Sequence, residues 1–325
     1  MNRIEKLQCL YTLIVVNNEL KHFLNNSGWD NSNIQWFSAD WSPRDYARLT
    51  KDAGTSAILL KSPPDHSPDS MIGHQIGKWV LMNHHFKSLG LNVPTILAQD
   101  LQIGFVLMDD FGNETIADKG MQAYLKATDI LITMRDHPDA LNNKNLIRYE
   151  DTHVYKALRF YPQYVLKDAT KTDDWFAAWD AVHHNLPLCP RALTHIDYAA
   201  QNLMWLGGEM GIIDFQAACN GPFVYDIVNL LEDIRRDIPD DIKQTCKQRY
   251  CELLDDTDKT AFDAWYPVIT AQFYARILGQ IQFLAQEKGR SDLMQYHDDL
   301  FKKWEKLLLL PELNPILRLI KENND

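Results

Sequence analysis

Between Leu193 and Leu231 the chain reads LTHIDYAAQNLMWL, GGEMG and IIDFQAACNGPFVYDIVNLL. Two apolar triads, Leu203-Met204-Trp205 and Gly211-Ile212-Ile213, flank the pair Gly207-Gly208, so the stretch reads as a β-hairpin. No other part of the sequence restricts the fold so narrowly. A hairpin here brings Asn202, just before its first strand, close to Asp214, just after its second. Asp197 then lies on the loop leading in.

Two hard oxygen donors and a separate carboxylate are the set that phosphoryl transfer needs. The donors clamp Mg²⁺, and the carboxylate takes the proton of an attacking hydroxyl. The ordered pattern resembles the catalytic loop and metal site of the aminoglycoside phosphotransferase/choline kinase family, a branch of the protein-kinase-like fold. There H-x-D-x-x-x-x-N is followed by I-D-F/W and then G-x-x-x-x-D. Here the matching residues are His195, Asp197, Asn202, Ile213-Asp214-Phe215, Gly221 and Asp226. Within the family, the wording IDFQ-A-x-x-GP-x-x-YD is similar to bacterial cell-wall sugar kinases that phosphorylate N-acetylmuramate and N-acetylglucosamine at the anomeric hydroxyl.

The resemblance implies an α+β, protein-kinase-like fold of two lobes. A small antiparallel-sheet N-lobe, residues 1–109, would bind nucleotide; a large helical C-lobe, residues 110–325, would carry the catalytic loop and substrate site. It implies ATP and Mg²⁺ as cofactors, Asp197 as the catalytic group, and Asn202 and Asp214 as metal ligands. His195 and Asp226 would support the loop, although Asp226 also reads as an ordinary acidic residue at a helix start. One departure is Ile196, where many relatives have Arg or another polar residue; base and metal ligands are untouched, and a possible basic contact is removed.

Upstream, Ile4 to Leu24 carries apolar residues at helical spacing, and three strand-like segments follow: Ile34 to Ala39, Arg44 to Thr50 and Ser56 to Lys61. The loop Asp40-Trp41-Ser42-Pro43 contains no glycine. It reads either as a solvated turn or, on the family resemblance, as a phosphate-gripping loop using Ser42 and Arg44. Lys61 reads either as a strand-end lysine in water or as the lysine that pairs with phosphates. The expected helix Met71 to Leu89 holds no glutamate to partner it, and Gln75 is the polar residue nearest that role. Gly104 to Met108 reads as a buried strand leading to a hinge, where the resemblance places adenine near Met108, Asp109 and Asp110. Asp110-Phe111-Gly112 spells the metal-binding triplet of protein kinases but precedes the catalytic loop. Asp110 is therefore read as a helix N-cap or hinge residue.

Beyond Gly120 the spacing is helical: Met121 to Arg135, Asp151 to Leu166, Asp173 to His184, Phe223 to Arg236, Asp241 to Asp255, Thr260 to Gln286 and Ser291 to Leu309. Pro267 is expected to break or kink its helix. His183-His184 lacks a third ligand at metal spacing.

The substrate is expected to be a small-molecule amino sugar. Tyr198, Gln201, Gln216, Asp233 and Arg236 are candidate contacts, with Arg236 or Arg276 as counter-charge to a lactyl carboxylate. Another small alcohol, an aminoglycoside, or a catalytically silent nucleotide-binding scaffold are the alternatives. The net charge of −11 over 325 residues argues against a nucleic-acid partner. Apolar runs are too short for a membrane span. Five scattered cysteines, with no apparent signal peptide, read as a reduced, cytoplasmic chain. Oligomeric state leaves no mark in the sequence.

Overall fold

The computed structural model describes residues 18–37, 44–70 and 75–322. The expected loop containing Ser42 and most of the expected first helix lie outside these residues. The chain divides into two compact units. One runs to Glu114 and takes in Met204–Gln216; the other comprises Thr115–Leu203 and Ala217–Asp325.

In the first unit, residues 18–26 form helix α1, which precedes a five-stranded antiparallel sheet. Its strands are β1 (Asn33–Trp36), β2 (Asp45–Thr50), β3 (Ser56–Lys61), β4 (Ile96–Asp100) and β5 (Phe105–Asp109), in the order β1-β2-β3-β5-β4. Side chains alternate between faces along each strand. Ala47 and Leu49, Ala57 and Leu59, and Phe105 and Leu107 therefore share one face, where Leu20, Phe23 and Leu24 of α1 and Trp29 pack on them. Tyr46, paired with Leu60, and Arg48, paired with Ile58, fall on the other face.

Helix α2 (Ile76–Ser88) packs Trp79 and Phe86 against Phe215, with ring centres 5.3 Å apart in both pairs. Strand β4 was not anticipated. None of its positions is fully buried, so no apolar run announces it.

In the second unit, α3 (Met121–Asp136), α4 (His153–Lys156) and α5 (Thr172–His184) lead to β6 (Arg191–Thr194). The expected long helix from Asp151 to Leu166 is instead three short turns, with Pro162 inside the last, Tyr161–Val165. The hairpin, which belongs to the first unit from Met204 on, forms as expected: β7 (Leu203–Leu206) pairs with β8 (Glu209–Ile212), and Gly207 and Gly208 have φ of 65° and 112°. Gly211 on β8 is required by close approach, because a Cβ there would lie 2.5 Å from the Phe111 ring.

Strand β9 (Cys219–Pro222) pairs antiparallel with β6 and is followed by α6 (Tyr225–Leu231). Helix α6 is shorter than the expected Phe223 to Arg236. Glu232 leaves it to accept hydrogen bonds from Lys243, Tyr266 and Tyr274 at 2.8, 2.8 and 3.2 Å.

Helices α7 (Asp240–Cys251), α8 (Asp256–Lys288), α9 (His297–Leu307) and α10 (Asn314–Glu322) complete the unit. Pro267 does not interrupt the 33-residue α8. The carbonyl it leaves without an in-helix partner belongs to Asp263, on the exposed side, where water can satisfy it. Trp175, Trp304 and Tyr161 fill the core, Tyr161 stacking on Trp175 at 4.6 Å.

Candidate active site

Strand β6 ends at Thr194 and delivers His195-Ile196-Asp197 as a loop. Ile196 has φ of 81°, a left-handed backbone that a β-branched residue adopts only under restraint. The restraint comes from α6. Asp226 accepts the N–H groups of His195 and Ile196 at 2.5 and 3.0 Å, and Asn229 donates to the Ile196 carbonyl at 2.7 Å. Asp226 and Asn229 are three residues apart and so lie on one face of the helix, which lets them hold both sides of Ile196.

Burial pushes the Asp226 carboxyl up to about 7. The two N–H groups it accepts pull it down, and the charge of Asp197 adds to the rise. The His195 ring accepts the N–H of Asp197 at Nδ1, 3.3 Å away, and is itself fully buried.

Asn202 donates through Nδ2 to both the carbonyl and Oδ2 of Asp197, at 2.9 and 3.0 Å. Both partners are acceptors, which fixes the amide with its nitrogen toward Asp197 and its oxygen toward other ligands. Asp197 and Asn202 are thus brought together.

In the first unit, Asp214 follows β8 with φ of 64° and accepts Gln216 Nε2 at 2.7 Å through Oδ1. Tyr46 is within electrostatic reach of it. Burial raises the Tyr46 phenol to about 12, Arg44 lowers it through charge and a hydrogen bond, and Asp214 raises it again. Arg44 is 3% exposed and also donates to the Gln75 carbonyl at 3.3 Å.

Lys61 is not brought to this group. By alternation it belongs to the α1 face of the sheet, and it pairs with Asp45 at 3.2 Å. Its expected phosphate role is corrected on that ground. It lines a cavity of about 370 Å³ with Glu19, Asp45 and Asp69.

Met108 is buried within β5. Asp109 is occupied by Thr95, which it meets through its N–H at 3.0 Å and its Oδ2 at 3.1 Å. Asp110 is not a helix cap. Arg48 holds it bidentately at 2.6 and 3.0 Å and Gly112 N–H donates at 2.9 Å; these outweigh burial and keep its carboxyl below the usual range.

Among the expected substrate contacts, Tyr198 is corrected. It is fully buried, and its hydroxyl donates to the Ala127 carbonyl at 2.9 Å, anchoring the loop to α3. Gln201 and Gln216 each keep a buried side-chain oxygen without a hydrogen-bond partner. Asp233 lies against Arg235 at 2.7 Å and Arg236 at 3.5 Å, and Arg236 also reaches the Ala117 carbonyl at 3.3 Å.

Asn229 was missed by sequence reasoning. Its signal was the three-residue spacing from Asp226.

An amide oxygen such as that of Asn202 and a carboxylate such as that of Asp214 are each hard donors of the kind Mg²⁺ takes. Among the described residues no group of three His, Cys, Asp or Glu side chains is placed to hold a metal ion.

Residues 33–265 match the model of a family described as the phosphotransferase enzyme family. An N-acetylmuramate/N-acetylglucosamine kinase of Caulobacter vibrioides is 25% identical, covering 87% of this chain and 88% of that protein. Its counterpart from Pseudomonas putida is 32% identical over 60% of this chain and 58% of its own length. A choline/ethanolamine kinase family protein of Mesorhizobium loti superposes with a TM-score of 0.62 at 13% identity, covering 94% of this chain and 99% of its own. An aminoglycoside phosphotransferase in ternary complex with ADP and hygromycin B gives 0.57 at 13% identity, covering 89% and 98%. These likenesses identify the fold as the two-lobe, protein-kinase-like α+β fold.

Proposed function

Since the chain belongs to the phosphotransferase enzyme family, we propose that it transfers the γ-phosphoryl group of ATP to a hydroxyl of an amino sugar. The acceptor we assign is the anomeric hydroxyl of N-acetylmuramate or N-acetylglucosamine, as in peptidoglycan recycling. The observation that carries the chemistry is the Asp197–Asn202 pair on a loop clamped by Asp226 and Asn229. The relatives' names carry the choice of acceptor.

Asp197 accepts the proton of the attacking hydroxyl, or orients that hydroxyl. Asn202 holds Asp197 Oδ2; its amide oxygen and the Asp214 carboxylate are the groups that would hold Mg²⁺. When bound, Mg²⁺ neutralises phosphate charge. Arg44, rather than Lys61, is the basic group assigned to the nucleotide side, because Arg44 acts on the same Tyr46 phenol that Asp214 does. Adenine is assigned to main-chain groups around Met108 and Asp109.

We place the enzyme in the cytoplasm, and two features agree with that reading. The cysteines among the described residues are all free, and no helix among them is long and apolar enough to cross a membrane.

The test is ADP release on a panel of amino sugars, aminoglycosides and choline-like alcohols, with the parent and Asp197→Asn. The expected outcome is turnover with N-acetylmuramate or N-acetylglucosamine and a loss of about 10²–10⁴ in kcat for the variant. Turnover with aminoglycosides alone overturns the acceptor. An unaffected variant overturns the mechanism.

A further inference from the structure

Arg276 lies in the middle of α8, and among the described residues no ion pair neutralises it. Its Nη1 donates to Gln280 Oε1 at 2.6 Å, one turn along the helix, and its buried Nε has no acceptor. Other basic groups of this unit have carboxylates: Lys243 meets Glu232, Arg236 meets Asp233, and Arg191 meets Glu150.

The Arg276 guanidinium sits 5.1 Å from the centre of the Phe273 ring and acts electrostatically on the phenols of Tyr149 and Tyr225. Tyr225 is 1% exposed, and its hydroxyl also lacks a partner. That same hydroxyl feels the charge of Asp197. Two donors are therefore left unsatisfied, one of them charged, and the Tyr225 hydroxyl is within electrostatic reach of the carboxylate assigned to the transfer step. Donors buried in this way cost stability unless something accepts from them.

A carboxylate is the acceptor that fits. It takes charge-assisted hydrogen bonds from a guanidinium edge and a further one from a phenol. The two sugars named for the relatives differ in this respect, since N-acetylmuramate is N-acetylglucosamine bearing a lactyl ether with a free carboxylate. An anionic acceptor approaching Asp197 meets repulsion from it, and a cation beside Tyr225 offsets that repulsion.

We propose that Arg276 and Tyr225 form the subsite that receives an acidic substituent of the acceptor sugar. This rests on the sugar-kinase reading above and extends it to the choice between an acidic and a neutral acceptor.

The experiment compares kcat/KM for N-acetylmuramate and for its uncharged methyl ester, in the full-length parent, Arg276→Gln, Arg276→Lys and Tyr225→Phe. Arg276→Gln is expected to lose about 10–100-fold on the acid and leave the ester unchanged, with the loss falling in KM. Arg276→Lys is expected to recover part of the loss, and Tyr225→Phe to lose less than Arg276→Gln while still sparing the ester. An equal loss on acid and ester means a structural role and overturns the subsite, as does no loss on the acid. A parent that phosphorylates neither these nor N-acetylglucosamine overturns the sugar-kinase reading and the subsite with it. Turnover of the sugars without an acid-specific loss overturns the subsite alone.

Discussion

Ile196 is held at a backbone cost. A left-handed backbone costs an ordinary residue about 1–2 kcal/mol, and its side chain is 3% exposed, so it cannot be replaced by glycine without opening a cavity. Asp226 and Asn229 offset that cost from one helix face. Asn229→Leu leaves the buried Ile196 carbonyl without its donor and is expected to cost about 1–3 kcal/mol in urea unfolding, with a fall in kcat as Asp197 loses its fixed position.

Asp226 also sets a pH dependence. Its carboxyl stands at about 7 in the fold against an ordinary value of 3.8, so folding favours the protonated form. The stability it contributes is full below the unfolded value and is lost as pH rises through the folded one. The free energy of unfolding should therefore fall between about pH 4 and 7, by an amount on the order of a few kcal/mol, and Asp226→Asn should flatten that slope.

The closeness of Asp197 and Asn202 was legible in the sequence because a five-residue spacing on one loop is a covalent property of the chain. Tyr198 was not. The chain shows an aromatic residue next to Asp197, but only three-dimensional packing decides that its hydroxyl serves the Ala127 carbonyl.

At the scale of elements, strand β3 was readable to both its ends, because the run from Ser56 to Lys61 is apolar between polar breaks. The face of Lys61 was not, although its parity with Ala57 and Leu59 was visible. Parity groups residues on one face, but which face meets α1 depends on long-range packing. Helix α8 gives the opposite lesson. A proline usually marks a boundary in sequence, yet here the helix passes through Pro267 because the freed carbonyl faces solvent. Pro267→Ala restores that hydrogen bond. It is expected to raise stability by about 1–3 kcal/mol, read as a higher melting temperature, with kcat unaltered.

Taken as a whole, the molecule carries a net charge of −11 and is proposed to bind a polyanionic nucleotide. Its long-range field opposes that encounter, and local groups such as Arg44 act only at close quarters. Raising ionic strength from about 20 to 150 mM should therefore raise kcat/KM for ATP at saturating Mg²⁺, the reverse of a positively steered enzyme. A fall in kcat/KM over that range would mean that local positive charge dominates the approach.

The first unit is not continuous in the chain, since it closes only when Met204–Gln216 joins the residues before Glu114. Phe111 has no Gly211 to pack on until then, and Trp79 and Phe86 have no Phe215. On the ribosome, where about 5–20 residues emerge each second, the amino-terminal sheet must wait roughly 5–20 s for its missing piece. During that interval it is the part of the nascent chain most in need of a chaperone. A gene fragment ending at Glu114 would leave it in that state permanently.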